Sequence, residues 1–186
     1  MNNITPLIAS YIATSIDGFI ASTDDTLDWL ERFEPPLENK DEDYGFAKFL
    51  NKQQAVIMGS NTYKIAASAG PDKWPYHGKR LIVLSSKLTS VSNQAEIYSG
   101  NIKPLVKKLA DDGVKSIYVD GGYTISQFLN QGLLDELIIS ILPITLGTGI
   151  PLFQKTSTEF CWQLSTSKTY SNGLAQLHYK KNPIGQ

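Results

Sequence analysis

Short apolar runs, each long enough for one strand and several closed by a glycine or serine turn that leads into a helix, recur along this 186-residue chain. Leu7 to Ala13, Ala55 to Met58, Arg80 to Leu84, Ala95 to Tyr98, Ser116 to Val119 and Leu134 to Leu142 are the strand candidates. Several are apolar almost throughout rather than alternating, the pattern of strands covered on both faces. Helices are expected at Asp41 to Lys52, Thr62 to Ala69, Asn101 to Asp112 and Gly122 to about Asn130. A short helical turn at Leu27 to Arg32 is stopped by Pro35 and Pro36. Strand and helix in alternation predict an α/β fold, with a mixed but mainly parallel central sheet and helices on both faces. The end of the chain differs. Phe160 to Tyr170 and Leu174 to Tyr179 flank Asn172 and Gly173, which predicts an antiparallel hairpin at one sheet edge. No shift in composition divides the chain, so residues 1–186 read as one domain with a core of about residues 6–180.

Seventeen Lys and Arg against eighteen Asp and Glu give a net charge of -1. A chain this close to neutral has no long-range attraction for nucleic acid or an anionic membrane, so neither is expected as a partner. One cysteine and two histidines, Cys161, His77 and His178, lie far apart and predict no metal site. The start lacks a secretory pattern and no run approaches the ~20 apolar residues of a membrane span, which reads as cytoplasmic.

A parallel sheet offers ligand sites at the carboxyl ends of its strands. Gly121 and Gly122 stand between a strand and a helix, where backbone can approach a ligand closely and helix-start amides attract anions; Tyr123 and Thr124 follow. A structural tight turn explains the pair equally well. Gly59, Ser60, Asn61 and Thr62 repeat the arrangement, although Ser60 or Asn61 could serve only as a helix cap. Ser85 and Ser86 leave the Arg80 to Leu84 strand, either as a polar exit or as phosphate ligands. Two anion sites on one sheet suit a dinucleotide. Near the first strand, Ala13, Asp17 and Ile20 form a turn, and Trp29 and Phe46 either line a cavity for a flat ring or pack in the core. Asp43 sits at a helix start, either as a dipole partner or as a carboxylate that orients substrate.

These pieces, in this order and spacing, resemble the dihydrofolate-reductase-like superfamily. The closest resemblance is to the reductase domain of the bifunctional riboflavin-biosynthesis deaminase-reductase. The stretches that carry it are Ile12 to Ile20, Asp28 and Trp29, Asp43 to Gly45, Ile57 to Tyr63, Trp74 to Lys79, Leu84 to Ser86, Val119 to Tyr123, Leu133 to Leu137, and Pro143 through Gly147 and Gly149 to Phe153. The resemblance implies a three-layer α/β/α fold, NADPH as cofactor with NADH possible, a homodimer, and reduction of a small heterocycle. The riboflavin-type substrate is an aminopyrimidine ribose phosphate. It implies cofactor contacts at Ala13, Ile20, Gly59, Ser60, Asn61, Thr62, Leu84, Ser85, Ser86, Gly121, Gly122, Tyr123 and Thr124. It also implies Asp43 as the catalytic carboxylate, with Asp17, Trp29, Tyr44, Phe46 and Lys79 toward the substrate, Lys79 for its phosphate.

Two departures qualify that expectation. Ser60 and Asn61 stand where the family commonly has Arg and Lys, which predicts a reduced preference for NADPH over NADH unless Lys64 or Lys87 compensates. No deaminase zinc signature is present, so reduction alone is expected. Rival readings are a folate or pteridine reductase, a reductase of carbonyls, quinones or other small compounds, and a nucleotide-binding protein without catalysis.

Overall fold

The structure, a computed structural model, describes residues 5–33, 35, 39–92, 95–157 and 159–182. Among these residues, ten strands and four α-helices follow one another as β1 (Leu7–Ser15), β2 (Phe19–Ala21), α1 (Phe46–Asn51), β3 (Ala55–Gly59), α2 (Ser60–Ser68), β4 (Arg80–Leu84), β5 (Glu96–Tyr98), α3 (Ile102–Asp111), β6 (Ser116–Asp120), α4 (Gly122–Asn130), β7 (Glu136–Leu142), β8 (Ile150–Pro151), β9 (Trp162–Thr169) and β10 (Ala175–Lys181). Short 3-10 turns occur at Leu30–Arg32 and Pro71–Lys73. The main sheet has the order β5-β4-β3-β6-β1-β7-β10-β9. Its pairs are parallel from β5 to β7 and antiparallel from β7 through β10 to β9. The α/β expectation and the terminal hairpin are both met.

Alternate strand residues face opposite helical layers, as the two-residue period of a strand requires. Ile8, Ile57, Ile82, Ile117 and Val119 pack with Leu105 and Leu109 of α3 and Ile125 and Phe128 of α4. Ala9, Val56, Met58, Leu81, Val83 and Tyr118 pack with Phe49 and Leu50 of α1 and Tyr63 of α2. The central strands are hidden on both sides, which is why they read as unbroken apolar runs.

Two local readings change. The helix expected at Asp41 to Lys52 starts only at Phe46, because Tyr44 (φ 58°) and Gly45 (φ 90°) adopt left-handed backbone that a helix cannot continue. The small antiparallel pair β2–β8 was not foreseen; Gly149 and the short apolar pieces around it carry too little periodicity. Pro36, one of the two proposed helix stops, lies outside the described residues. Among the described residues no helix is long and apolar enough to cross a membrane.

Candidate active site

The carboxyl ends of β3 and β6 lie side by side, with Met58 paired to Asp120. Each strand turns directly into a helix through a glycine: Gly59 precedes α2 and Gly121 precedes α4. Among the described residues no side chain caps either helix, and the first-turn N–H groups of such a start suit an anion. The two turns interlock. A Cβ on Gly121 would collide with Thr62 Oγ1, and one on Gly59 would come within 3.3 Å of Thr124 Oγ1. A cavity of about 580 Å³ opens over both turns.

Beside the glycine pair, the cavity wall carries a buried carboxyl. Asp120, 8% exposed, accepts a hydrogen bond from Tyr76 Oη at 2.8 Å and from the Gly121 amide at 2.8 Å. Burial raises the Asp120 carboxyl above the usual carboxylate range, opposed by the hydroxyl and amide donors that favour the anion. Burial, with the Asp120 charge beside it, also pushes the Tyr76 phenol well up, so Tyr76 remains a donor. The pair stands in the cavity wall beside the glycine turn.

A flap built from two loops closes one side. Ile20 and Ala21 of β2 and Ile150 of β8 line the cavity. Asp17 fastens the flap: its carboxylate accepts from Ser15 Oγ (2.6 Å), Leu146 N (3.1 Å) and Gly147 N (2.7 Å). Those donors hold its pKa low, the Ser15 hydroxyl most of all. Leu152 N donates to Gly18 O at 2.9 Å a little further along.

Of the residues expected at the cofactor, Ile20, Gly59, Ser60, Asn61, Thr62, Leu84, Gly121, Gly122, Tyr123 and Thr124 all line this cavity. Ala13 instead packs with the buried group of Trp29, Leu142 and Leu174. Ser85 Oγ accepts the Lys87 and Leu88 amides and shapes the turn after β4, which Ser86 continues.

The residues expected at the substrate are more scattered. Trp29 is 2% exposed inside its cluster, so its ring is core. Tyr44 stacks edge-on against Tyr170, and its carbonyl accepts from Tyr11 and Gln176. Phe46 packs against Tyr11 and Tyr118. Asp43 is exposed, and its two carboxylate oxygens accept the Gly45 (2.8 Å) and Ala47 (2.7 Å) amides at the start of α1. Lys79 lies elsewhere. It precedes β4 at the opposite end of the sheet, where Nζ donates to the Gln53 carbonyl at 2.8 Å. Five residues of extended chain, roughly 16 Å, separate it from Leu84 at the cavity. A phosphate held by Lys79 would lie away from the cleft.

Asp120 and Tyr76 were missed as site residues. Asp120 immediately precedes the glycine pair, and an acid at the carboxyl end of an apolar strand was the available signal. Tyr76 lies in a Gly- and Pro-rich loop that gives no sequence sign of its position.

The uncapped helix starts, the hydroxyls of Ser60, Thr62 and Thr124 and a cavity of drug-like size fit a dinucleotide. Comparison with known proteins gives the same direction. The family described as RibD C-terminal domain matches residues 6–176. The uncharacterized protein YwjB of Bacillus subtilis is 30% identical over 171 residues, spanning 91% of this chain and 94% of that protein. The crystal structure of a putative riboflavin biosynthesis protein from Shewanella sp. PV-4 superposes with a TM-score of 0.87 at 32% identity, covering 95% of this chain and 99% of the other. Dihydrofolate reductase from Enterococcus faecalis, complexed with NADP(H), shares the fold at a TM-score of 0.66 and 13% identity, covering 97% and 99%. The chain belongs to the RibD C-terminal domain family, on the dihydrofolate-reductase-like α/β/α fold.

Proposed function

We propose that the chain is an NAD(P)H-dependent reductase that acts on a C=N or C=O carbon of a small polar heterocycle, of the aminopyrimidine type handled in riboflavin biosynthesis. The observation that carries the reading is the placing of two uncapped helix starts and a buried acid, Asp120, around one cavity. The α2 and α4 starts, with Ser60, Thr62 and Thr124, would hold the diphosphate. The chemistry that reduced nicotinamide would supply there is a hydride, two electrons and a hydrogen nucleus, for the acceptor carbon. The acceptor's nitrogen or oxygen then requires one proton. Asp120 holds that proton at its carboxyl, and the Tyr76 hydroxyl orients it through the 2.8 Å hydrogen bond. Ile12 and Ile20 present apolar surface at the cavity and exclude water from the reacting face.

Without Lys79 at the cavity, an unphosphorylated heterocycle is favoured over a ribose phosphate. A homodimer is part of the same reading. The outer edge of β9 is exposed along most of its length and carries Leu164 at 48% exposure, a surface a second copy can cover. Solution mass tests that part.

Oxidation of reduced nicotinamide tests the activity. The panel is an aminopyrimidine ribose phosphate, its dephosphorylated form, dihydrofolate and a quinone. Turnover of either aminopyrimidine, with dihydrofolate and the quinone inert, supports the reading. Nucleotide binding without oxidation by any member overturns it in favour of a catalytically silent binder.

A further inference from the structure

The cavity wall contains no Lys or Arg among the described residues. Its ionisable side chains are two carboxyls, Asp25 and Asp120, and two phenols, Tyr76 and Tyr123. Asp120 is hydrogen-bonded to Tyr76 and the Gly121 amide. Asp25 is different. It stands in the turn after β2, in left-handed backbone (φ 64°), and its amide N–H donates a hydrogen bond to the Ser22 carbonyl at 3.1 Å. Its carboxylate accepts from Asn61 Nδ2 at 3.3 Å. The turn after β2 is thereby joined to the first turn of α2, with a negative charge at that junction.

NADPH and NADH share a diphosphate, which the two helix starts serve alike. They differ by one phosphate monoester, which adds a charge of about −1.5 to −2 near neutral pH. Selecting that group takes charge-assisted donors, Arg above all. This wall offers amides, hydroxyls and the Asn61 carboxamide, and Asn61 already faces an acid. Lys64 and Lys87 are exposed and are not part of the wall. We infer that this cleft does not select NADPH: it binds NADH about as tightly, because its wall carries no cation for the extra phosphate and the Asp25 charge at the α2 start opposes the more highly charged nucleotide more strongly. The inference rests on the reductase reading of the cleft.

Isothermal titration of the whole chain with NADPH and with NADH, each at low and at physiological salt, tests it without an assay of turnover. The expected affinities lie within about tenfold of each other. Asp25→Asn removes the charge and keeps a residue that tolerates left-handed backbone. It is expected to tighten both nucleotides, because the shared diphosphate also lies at the α2 start, and to tighten NADPH by about twofold to threefold more than NADH, with that excess shrinking as salt rises. A preference for NADPH of a hundredfold or more overturns the inference and leaves the reductase reading intact. So does an equal response of both nucleotides to Asp25→Asn, or a loss of NADPH affinity alone in Lys64→Ala or Lys87→Ala. If neither nucleotide binds, the reductase reading falls and this inference falls with it.

Discussion

The Thr62 hydroxyl occupies the space into which a side chain on Gly121 would project. The start of α2 is therefore packed against the turn that begins α4, and the two sets of helix-start amides have a fixed separation. Gly121 also has φ 86°, where an L side chain is strained. Gly121→Ala is expected to destabilise the chain by about 2–4 kcal/mol, combining left-handed strain with overpacking. Thr62→Ala in the same chain should restore the packing part and leave the backbone part. Urea denaturation of the four proteins of this cycle checks it; purely additive losses would mean that the two turns are not coupled.

Asp120 gives a pH dependence of known sign. Its carboxyl is raised in the folded protein, burial being the main cause. The neutral form is therefore favoured by folding. That contribution to stability is complete below the unfolded value near 3.8 and is lost as pH rises through the raised folded value. A reaction that draws its proton from Asp120 fades over the same alkaline limb. Asp120→Asn should lower kcat by about 10²–10⁴. Tyr76→Phe removes a donor that favours the anion, so it should move the limb to higher pH. The pH profile of kcat decides the matter; an Asp120→Asn enzyme with an unchanged rate would leave Asp120 no part in proton transfer.

What was legible in the sequence follows from what backbone periodicity encodes. Val56 to Met58 and Ile117 to Val119 are buried on both faces, and such strands announce themselves as apolar runs. Gly59 and Gly121 mark where those runs end, so the helix-start half of the cavity was readable. Asp43 and Lys79 show the limit. Each has a residue type and spacing that suit a ligand, and each makes backbone hydrogen bonds, at the α1 start and at the foot of the sheet. Which end of a strand a residue occupies is set by topology, and the partners of a charged side chain come from segments far away in sequence. Tyr76 reaches Asp120 across 44 positions, a relationship no local pattern contains.

Asp17 joins the β1–β2 turn to the loop before β8 through the Leu146 and Gly147 amides. Asp17→Ala should leave the sheet intact and loosen the flap that carries Ile20 and Ile150. Hydrogen exchange at Leu146 and Gly147 is expected to speed up by at least about tenfold, with strand amides of β3 and β6 unaffected. Since the Asp17 pKa is lowered, the wild-type clamp holds at neutral pH and releases only as pH falls through that lowered value. Uniform acceleration across the sheet would instead mark Asp17 as a global stability residue.

The foot of the sheet separates stability from catalysis. Arg80 donates to Glu96 at 2.7 Å and to Asp112 at 2.6 Å, bridging β4, β5 and the end of α3. The Arg80 guanidinium, hydrogen-bonded to the Glu96 carboxylate, lowers the Glu96 pKa. Stability from that pair is present above the ordinary value near 4.5 and is lost as pH falls through the lowered one. Because Glu96 is well exposed, Arg80→Ala should cost only about 0.5–1 kcal/mol at neutral pH, with the cost disappearing in acid. Lys79→Ala, at the same end, should leave turnover within about twofold of wild type, since the lysine stands some five residues of strand, roughly 16 Å, from the cavity. Denaturation midpoints across pH and steady-state rates of both variants read these outcomes separately. A Lys79→Ala enzyme with a sharply raised KM for a phosphorylated substrate alone would return that lysine to substrate binding.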